Sequence, residues 1–575
     1  MWLVRLRQDI VWSRVRFTTS STRLQDSLPN RQPSLPHPPN PPLQPPLGRH
    51  FSWKNVPNQH PVESLTPLPK TPHTSLPPIQ HKFDEETPLY SRLVRQRRQA
   101  AVKAAFSRAW TSYKERAWMK DELTPISGGY RTTFGGWAAT LVDSLDTLWI
   151  MDMKNEFEEA VAAVMHIEFK PEGEVNMFET TIRYLGGFLS AYDLTDCKDS
   201  RLLEKAMELG DMIYASFNTP NRMPITHWDS ILAAGGIEQS APSMGLLAEM
   251  ASFSLEFTRL SQLTGDMRYF DAATRVTAVL AEQQDQTKLP GLWPISIDIK
   301  AKNLTENNYF SIGGMADSAY EYLPKMFQLL RGSSSSSASQ YREIYTSAMD
   351  AVIQHLLFRP MTPDNADILL PASAHAFNDS SVGRDNQTQH LSCFAGGMLM
   401  LGGRFFQNQT HVDVGRKVAD GCIWLYANSP LGIMPEILSM ASCPSFSPCD
   451  YSPPPTEPGG NGLPEFFTSV PDPKYILRPE AIESVFYAYR ITGDEAYQDV
   501  AWDMFQAIDS HTRTQYGNAA LGNVMEVSDP GKTDSMESFW MAETLKYFYL
   551  VFGAEEVGNL DEWVFNTEAH PLRVV

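Results

Sequence analysis

The sequence has little cysteine. Its five cysteines, Cys197, Cys393, Cys422, Cys443 and Cys449, are too few for a disulfide scaffold in a chain of 575 residues, and none has the CxxC spacing of a zinc site. One or two bridges with a free thiol fit that number. Basic residues are in deficit as well. Lys and Arg total 48 against 67 Asp and Glu, a formal net charge of -19, which argues against nucleic acid as a partner because phosphate binding needs clustered cations. The first 28 residues, rich in Arg and Ser, lack the continuous apolar core of a signal peptide or membrane anchor. The run MWLVRLRQDIVWSRVRF reads either as an amphipathic organelle-targeting segment or as an incorrectly predicted start that omits the true signal-anchor, and the second reading is preferred. A GxSxG elbow, a P-loop and an HExxH motif are also missing, which leaves serine hydrolase, nucleotide hydrolase and zinc protease chemistry without support.

What is present is the material of a large folded domain. Hydrophobic residues make up 42% of the chain, enough to bury a substantial core. N-x-S/T triplets at Asn303, Asn378, Asn386 and Asn408 point to a glycosylated lumenal protein. From Pro29 to Pro78 the chain is dense in proline, which favours extended polyproline II and builds no core of its own. Residues 29–84 are therefore expected to be a disordered stem or linker. Residues 85–575 are expected to form one folded domain starting near Thr87 to Arg98, with minor loops at the Ser run 333–337 and the Pro/Gly-rich stretch 444–463.

Within that domain, helical periodicity dominates and strand alternation is scarce. In FETTIRYLGGFLSAYDL, Phe178, Ile182, Leu185 and Leu189 share one stripe; in RPEAIESVFYAYRITGD, Ile482, Val485, Phe486 and Tyr489 do the same before Gly493 signals a stop. Repeated helices with short turns suggest an α/α barrel or a solenoid. Several acids stand at the helix starts. Glu179 and Arg183, four apart, read by default as a surface ion pair. Glu480 and Glu483 in a first turn beside Pro479 read as dipole partners, Asp317 as a cap, and His390 as a satisfied structural residue. Glu543 lies one turn after Phe539, which suggests either helix packing or a sugar-stacking ring beside an acid. With nucleophile and phosphate motifs missing, carboxylates remain the candidate catalysts, and glycoside hydrolysis needs two of them.

The segments KDELTPISG, TLVDSLDTLWIMDM, FETTIRYLGGFLSAYDL, LAEMASFSLEFTRLSQLTGD, GGMADSAYEYL, HLSCFAGGMLMLGG, YILRPEAIES, MESFWMAETLKYFYLVF and FNTEAHPL, in this order, resemble the class I α1,2-mannosidases, glycoside hydrolase family 47. The resemblance covers nearly everything after the proline-rich segment. It implies an all-α fold, an (α/α)7 barrel with a deep acidic pocket closed at one end by a hairpin. It also implies inverting, exo-acting removal of α1,2-linked mannose from oligomannose N-glycans, by a monomer in the ER or Golgi lumen, membrane-tethered or secreted.

By motif, the resemblance makes Glu179 the acid, acting through a water, Glu480 the base and Asp317 the third catalytic carboxylate, leaving open whether Glu179 or Asp317 is the principal acid. Arg183, His390, Arg478, Glu483, Phe539, Glu543 and Glu568 match substrate-pocket positions, with Phe539 under the scissile mannose. A Ca2+ ion is expected at Thr567, on its hydroxyl and carbonyl oxygens, with waters completing a shell of six to eight. Cys393 and Cys422 match the family's structural disulfide, which requires an oxidising compartment. Cys443 and Cys449 are placed for a local second bridge, and Cys197 has no assigned partner. The other function class held open is a low-turnover, mannose-binding quality-control protein.

Overall fold

The computed structural model describes residues 51–69, 76–83, 88–332, 336–377, 381–453 and 463–575. Fourteen helices form its frame: α1 (Leu89–Arg116), α2 (Leu145–Ile150), α3 (Lys154–Val164), α4 (Gly186–Leu194), α5 (Ser200–Ala215), α6 (Ser254–Thr264), α7 (Met267–Gln283), α8 (Asp317–Leu329), α9 (Ser336–His355), α10 (Phe394–Phe405), α11 (Gln409–Asn428), α12 (Glu480–Thr492), α13 (Ala496–Thr512) and α14 (Leu545–Val551). Each even-numbered helix packs against the odd-numbered one that follows it, and α14 packs against α1, giving seven pairs. The even-numbered helices also pack on one another in sequence, and the segment before α14 closes the ring onto α2. The result is an (α/α)7 barrel.

The two rings differ in composition for a physical reason. Inner helices are enclosed by neighbours and must be apolar nearly all round; α10 buries almost every residue from Phe394 to Phe405. Outer helices carry one buried stripe, such as Leu202, Ala206, Leu209 and Ile213 on α5. Asp199, Asp266 and Asn408 cap α5, α7 and α11 by accepting a backbone N–H of the first turn. Gly493 ends α12 at φ 73°, the expected stop.

The long connections leading from outer to inner helices carry short antiparallel strands. Two three-stranded sheets form there: β1 (Tyr309–Ser311), β2 (Ser373–Ala376) and β3 (Val382–Asp385), and β4 (Gln387–Gln389), β5 (Ile437–Met440) and β6 (Phe467–Asp472). A hairpin of β7 (Trp563–Phe565) and β8 (Pro571–Arg573) follows the last inner helix and packs on α4 and α8. It is the expected plug.

Three expectations need correction. Residues 51–69 and 76–83 are not a detached linker: Phe51–Val575 is one compact unit. Trp53 and Ile79 are buried, and the Trp53 indole donates to the Phe169 carbonyl at 2.6 Å. The N–H groups of Gln59, Thr66 and Ile79 are taken by Asn218, Asp271 and Asp561, and that of His81 by the Arg490 carbonyl. Proline prevents a strap from making its own core but not from borrowing the barrel's. The rest of the expected linker, with residues 1–28, lies outside the described residues. Of the expected loop at 333–337, Ser336 instead opens α9, and 333–335 lie outside the description. The expected FETTIR helix is interrupted by a wider turn, described next.

Both expected bridges are present, Cys393–Cys422 and Cys443–Cys449, with Cα atoms 6.1 and 5.8 Å apart, and Cys197 is a free thiol. Asn303, Asn386 and Asn408 are described; Asn378 is not.

Candidate active site

Two inner helices are entered through π turns, Thr180–Leu185 before α4 and Trp540–Thr544 before α14. Such turns accommodate an extra residue and re-aim side chains. The hydroxyls of Thr180 and Thr181 donate to the carbonyls of Asn176 and Met177, both at 2.7 Å, and Asn176 Oδ1 accepts the Glu179 N–H at 3.0 Å. Glu179 is thereby fixed at the mouth of α4. The backbone is strained at three neighbouring points. Met315, Leu477 and Ala569 adopt φ of 78°, 70° and 57°, respectively, beside Asp317, Glu480 and Glu568. A left-handed residue with a side chain costs about 1–3 kcal/mol, and such strain collects at functional sites.

Arg183 gathers one group of acids. Its Nε donates to Glu179 Oε2 at 2.9 Å, and its Nη1 donates to Glu568 Oε2 at 2.6 Å and to Ser538 Oγ at 3.2 Å, with Asp143 Oδ2 at 3.5 Å. Arg478 gathers a second. Its Nε donates to Glu436 Oε2, and its Nη1 lies 3.5 Å from Glu480 Oε1. The other oxygen of Glu480 is 2.8 Å from His390 Nδ1, and His390 Nε2 is 2.7 Å from the Tyr426 hydroxyl. The Phe539 ring joins the two groups, with both guanidinium carbons 6.0 Å from its centroid. Asp317, half-buried, opens α8 and accepts the Ser318 N–H at 2.9 Å.

These environments pull the carboxyls in opposite directions. Burial raises Glu480, but the His390 hydrogen bond and the Arg478 charge outweigh it and hold the group below the ordinary range. Burial pushes Glu483 up to about 8, with Lys325 opposing and Glu321 and Glu480 adding to it. Glu568 is also pushed up to about 8 by burial, against Arg183 and with Asp143 and Glu179. Glu543 is driven well above its usual value by burial and then by Glu568. The pocket thus holds more carboxyls than its cations neutralise.

That surplus favours a hard cation, and the hairpin tip suits one. Asn566 fixes the tip: its Oδ1 accepts the N–H groups of Glu568 and His570, both at 2.9 Å, and its Nδ2 donates to Glu256 Oε1 at 2.8 Å. Lys546 Nζ donates to the Ala569 carbonyl at 2.7 Å. Thr567, between Asn566 and Glu568, offers a hydroxyl and a carbonyl oxygen. Among the described residues, no group of three or more His, Cys, Asp or Glu side chains is placed to hold a metal directly. A cation at Thr567 would therefore take most of its shell from water, as oxygen-bound calcium can.

The sequence-derived residues thus fall into linked groups: Arg183 with Glu179 and Glu568, whose charge raises Glu543, and Glu480 with His390 and Arg478, with Glu483 nearby; Phe539 lies near both arginines. The Glu179–Arg183 pair is largely buried rather than on the surface. His390 is fully buried with both ring nitrogens engaged inside the protein, so it addresses Glu480 and not a sugar directly. Sequence reasoning missed Glu122, Asp143, Glu436 and Glu537. Glu122 is raised well above its usual value by burial and then by Glu537, and Asp143 and Glu436 back the two arginines. The available signal was an acid set within an apolar helical run, as in TLVDSL, where a buried charge needs a partner.

Residues 105–574 match the family model described as glycosyl hydrolase family 47. The mannosyl-oligosaccharide 1,2-alpha-mannosidase MNS1 of Arabidopsis thaliana is 35% identical over 493 residues, covering 84% of this chain and 79% of its own. The endoplasmic reticulum mannosyl-oligosaccharide 1,2-alpha-mannosidase of Homo sapiens is 33% identical over 531 residues, covering 91% and 70%. Among solved structures, the alpha-1,2-mannosidase from Trichoderma reesei matches with a TM-score of 0.75 at 32% identity, covering 84% of this chain and 99% of its own.

Proposed function

The chain belongs to glycosyl hydrolase family 47, and from that membership we propose that it removes terminal α1,2-linked mannose from oligomannose N-glycans, as an inverting exo-acting hydrolase. The observation that carries this reading is the split among the pocket carboxyls. The His390 hydrogen bond and the Arg478 charge hold Glu480 below the ordinary carboxyl range despite burial, while burial pushes Glu483 and Glu568 up to about 8 and Glu543 well above its usual value. A carboxyl kept charged while its neighbours are raised is the one equipped to take a proton, which is the base's work.

In this reading Glu480 takes a proton from the water that attacks the anomeric carbon. Glu179, held by Arg183, serves the leaving oxygen through a second water, with Asp317 as the third carboxylate and the alternative principal acid. Inversion requires acid and base roughly 6.5–9.5 Å apart, leaving room for the attacking water. Phe539 offers its face to the sugar, and Arg183, Arg478, Glu483, Glu543 and Glu568 orient its hydroxyls. Thr567 is the proposed Ca2+ ligand, with water completing the shell; when bound, the ion supplies a fixed positive charge that grips sugar hydroxyls and compensates the surplus carboxylates.

The lumen of the ER or Golgi is the proposed compartment. Two disulfides and relatives named for the endoplasmic reticulum support it. No helix among the described residues is long and apolar enough to cross a membrane, so a tether is not assigned to any of them.

The test is incubation of the full chain with a nine-mannose N-glycan, with calcium and with chelator. The reading predicts release of α1,2-linked mannose that the chelator stops and calcium restores. Tight glycan binding without release, by folded protein in calcium, would establish the lectin-like alternative instead.

A further inference from the structure

We propose that Tyr426 is a positioning residue for Glu480, acting through His390. The inference rests on the reading of Glu480 as the base. Tyr426 belongs to the outer helix α11, a different element from the one that carries Glu480, yet its hydroxyl lies 2.7 Å from His390 Nε2 while Nδ1 lies 2.8 Å from Glu480 Oε2. The histidine and the tyrosine are enclosed: His390 is 0% exposed and Tyr426 2%.

Hydrogen-bond chemistry orders this chain in one direction. An ionised carboxylate only accepts, so the hydrogen between His390 and Glu480 resides on Nδ1. On a ring that carries this one hydrogen, Nε2 is the acceptor and the Tyr426 O–H donates to it. Tyr426 thereby complements the Nδ1–H tautomer that the Glu480 carboxylate imposes, and its bond on the far nitrogen fixes the rotation of the ring that presents Nδ1–H to the carboxylate. Donation to Nε2 also polarises the ring and strengthens the Nδ1–H bond to the carboxylate.

The fold gives the pair a fixed register. His390 opens a short 3-10 turn, His390–Cys393, directly before α10, and Cys393 is bridged to Cys422, one helical turn before Tyr426. The disulfide thus ties the turn that carries the histidine to the helix that carries the tyrosine. Tyr475, fully buried, packs on the same imidazole with centroids 5.8 Å apart and donates its hydroxyl to the Arg478 carbonyl at 3.3 Å. Both oxygens of Glu480 are therefore held from behind, one through His390 and Tyr426, the other through Arg478 and Glu436. The titratable groups facing Glu480 are His390, Arg478, Glu436, Tyr426, Tyr475, Glu483 and Glu543.

Tyr426→Phe in the full chain removes one hydroxyl and no ring. Expected are a fall in kcat of roughly tenfold, a KM within about twofold of the parent, and an acid limb of the kcat profile moved to higher pH. A kcat and acid limb identical to the parent would overturn the proposal. The unsubstituted chain, labelled with 15N-histidine and free of glycan, supplies a readout that does not need the variant to fold. Its His390 resonance, assigned by its loss in His390→Gln, is expected to report hydrogen on Nδ1; hydrogen on Nε2 would overturn the proposal equally. Full turnover by Glu480→Gln would remove the base assignment while leaving the tautomer result standing, so the two failures are distinguishable.

Discussion

Arg183 is the residue on which most of the pocket depends. It is largely buried, it bonds Glu179 and Glu568, and Asp143 approaches it from behind. Removing one partner of a buried ionic group costs about 3–5 kcal/mol, because the remaining charges stay buried without compensation. Arg183→Ala is expected to lose at least that much stability in a denaturant titration. Arg183→Lys should keep part of the stability but lose activity, because an ammonium cannot reproduce a planar fork.

His390 gives a pH test at the same scale. Glu480 is held below the ordinary carboxyl range despite burial, and the His390 hydrogen bond is the first influence that holds it there. Without that bond the burial penalty remains and the carboxyl rises. His390→Ala is therefore expected to move the acid limb of kcat/KM to higher pH, because the base is protonated sooner as pH falls. A pH–rate profile checks this, and an acid limb that stays in place or moves lower would contradict it.

At the scale of elements, the inner helices, the Gly493 stop and the disulfide partners were legible because they depend on periodicity or on motifs. The π turns were not. Nothing in the spacing of Ile182, Leu185 and Leu189 marks the extra residue before α4, since the stripe reads the same through it. The strap was misread for a related reason. Its prolines correctly excluded an independent core, but whether Trp53 and Ile79 find a home depends on grooves built by residues 100 to 500 positions later. Trp53→Ala is expected to destabilise the protein by about 3–5 kcal/mol, the usual cost of emptying a large aromatic site. Equilibrium unfolding checks it, and a loss under 1 kcal/mol would mean that the strap is dispensable. Among candidate site residues, the motifs singled out Glu179 and Glu480, which the fold brings beside Arg183 and Arg478. Glu122 and Glu436 were not legible, because their importance arises only when distant segments bring them beside Glu537 and Arg478.

For the whole molecule, the surplus of buried acids sets how stability varies with pH. Glu483 and Glu568, both pushed up to about 8, keep protons at neutral pH that the unfolded chain, with carboxyls near 4.5, has released. The folded state binds more protons across that window, so stability falls as pH rises from about 4.5 to 8. In chelator, the unfolding temperature is expected to drop between pH 6 and pH 8, with calcium recovering the loss at the upper end. Thermal scans across that range check both the direction and the rescue.

In the proposed mechanism one carboxylate, Glu480, held ionised in a calcium-assisted pocket, drives mannose removal. The most direct test is turnover and glycan affinity of Glu480→Gln in calcium, beside the unsubstituted chain. Expected is a loss of turnover of roughly a thousandfold or more with glycan binding retained, because an amide keeps the shape of the base but cannot take the proton. Turnover within tenfold of the parent would contradict it.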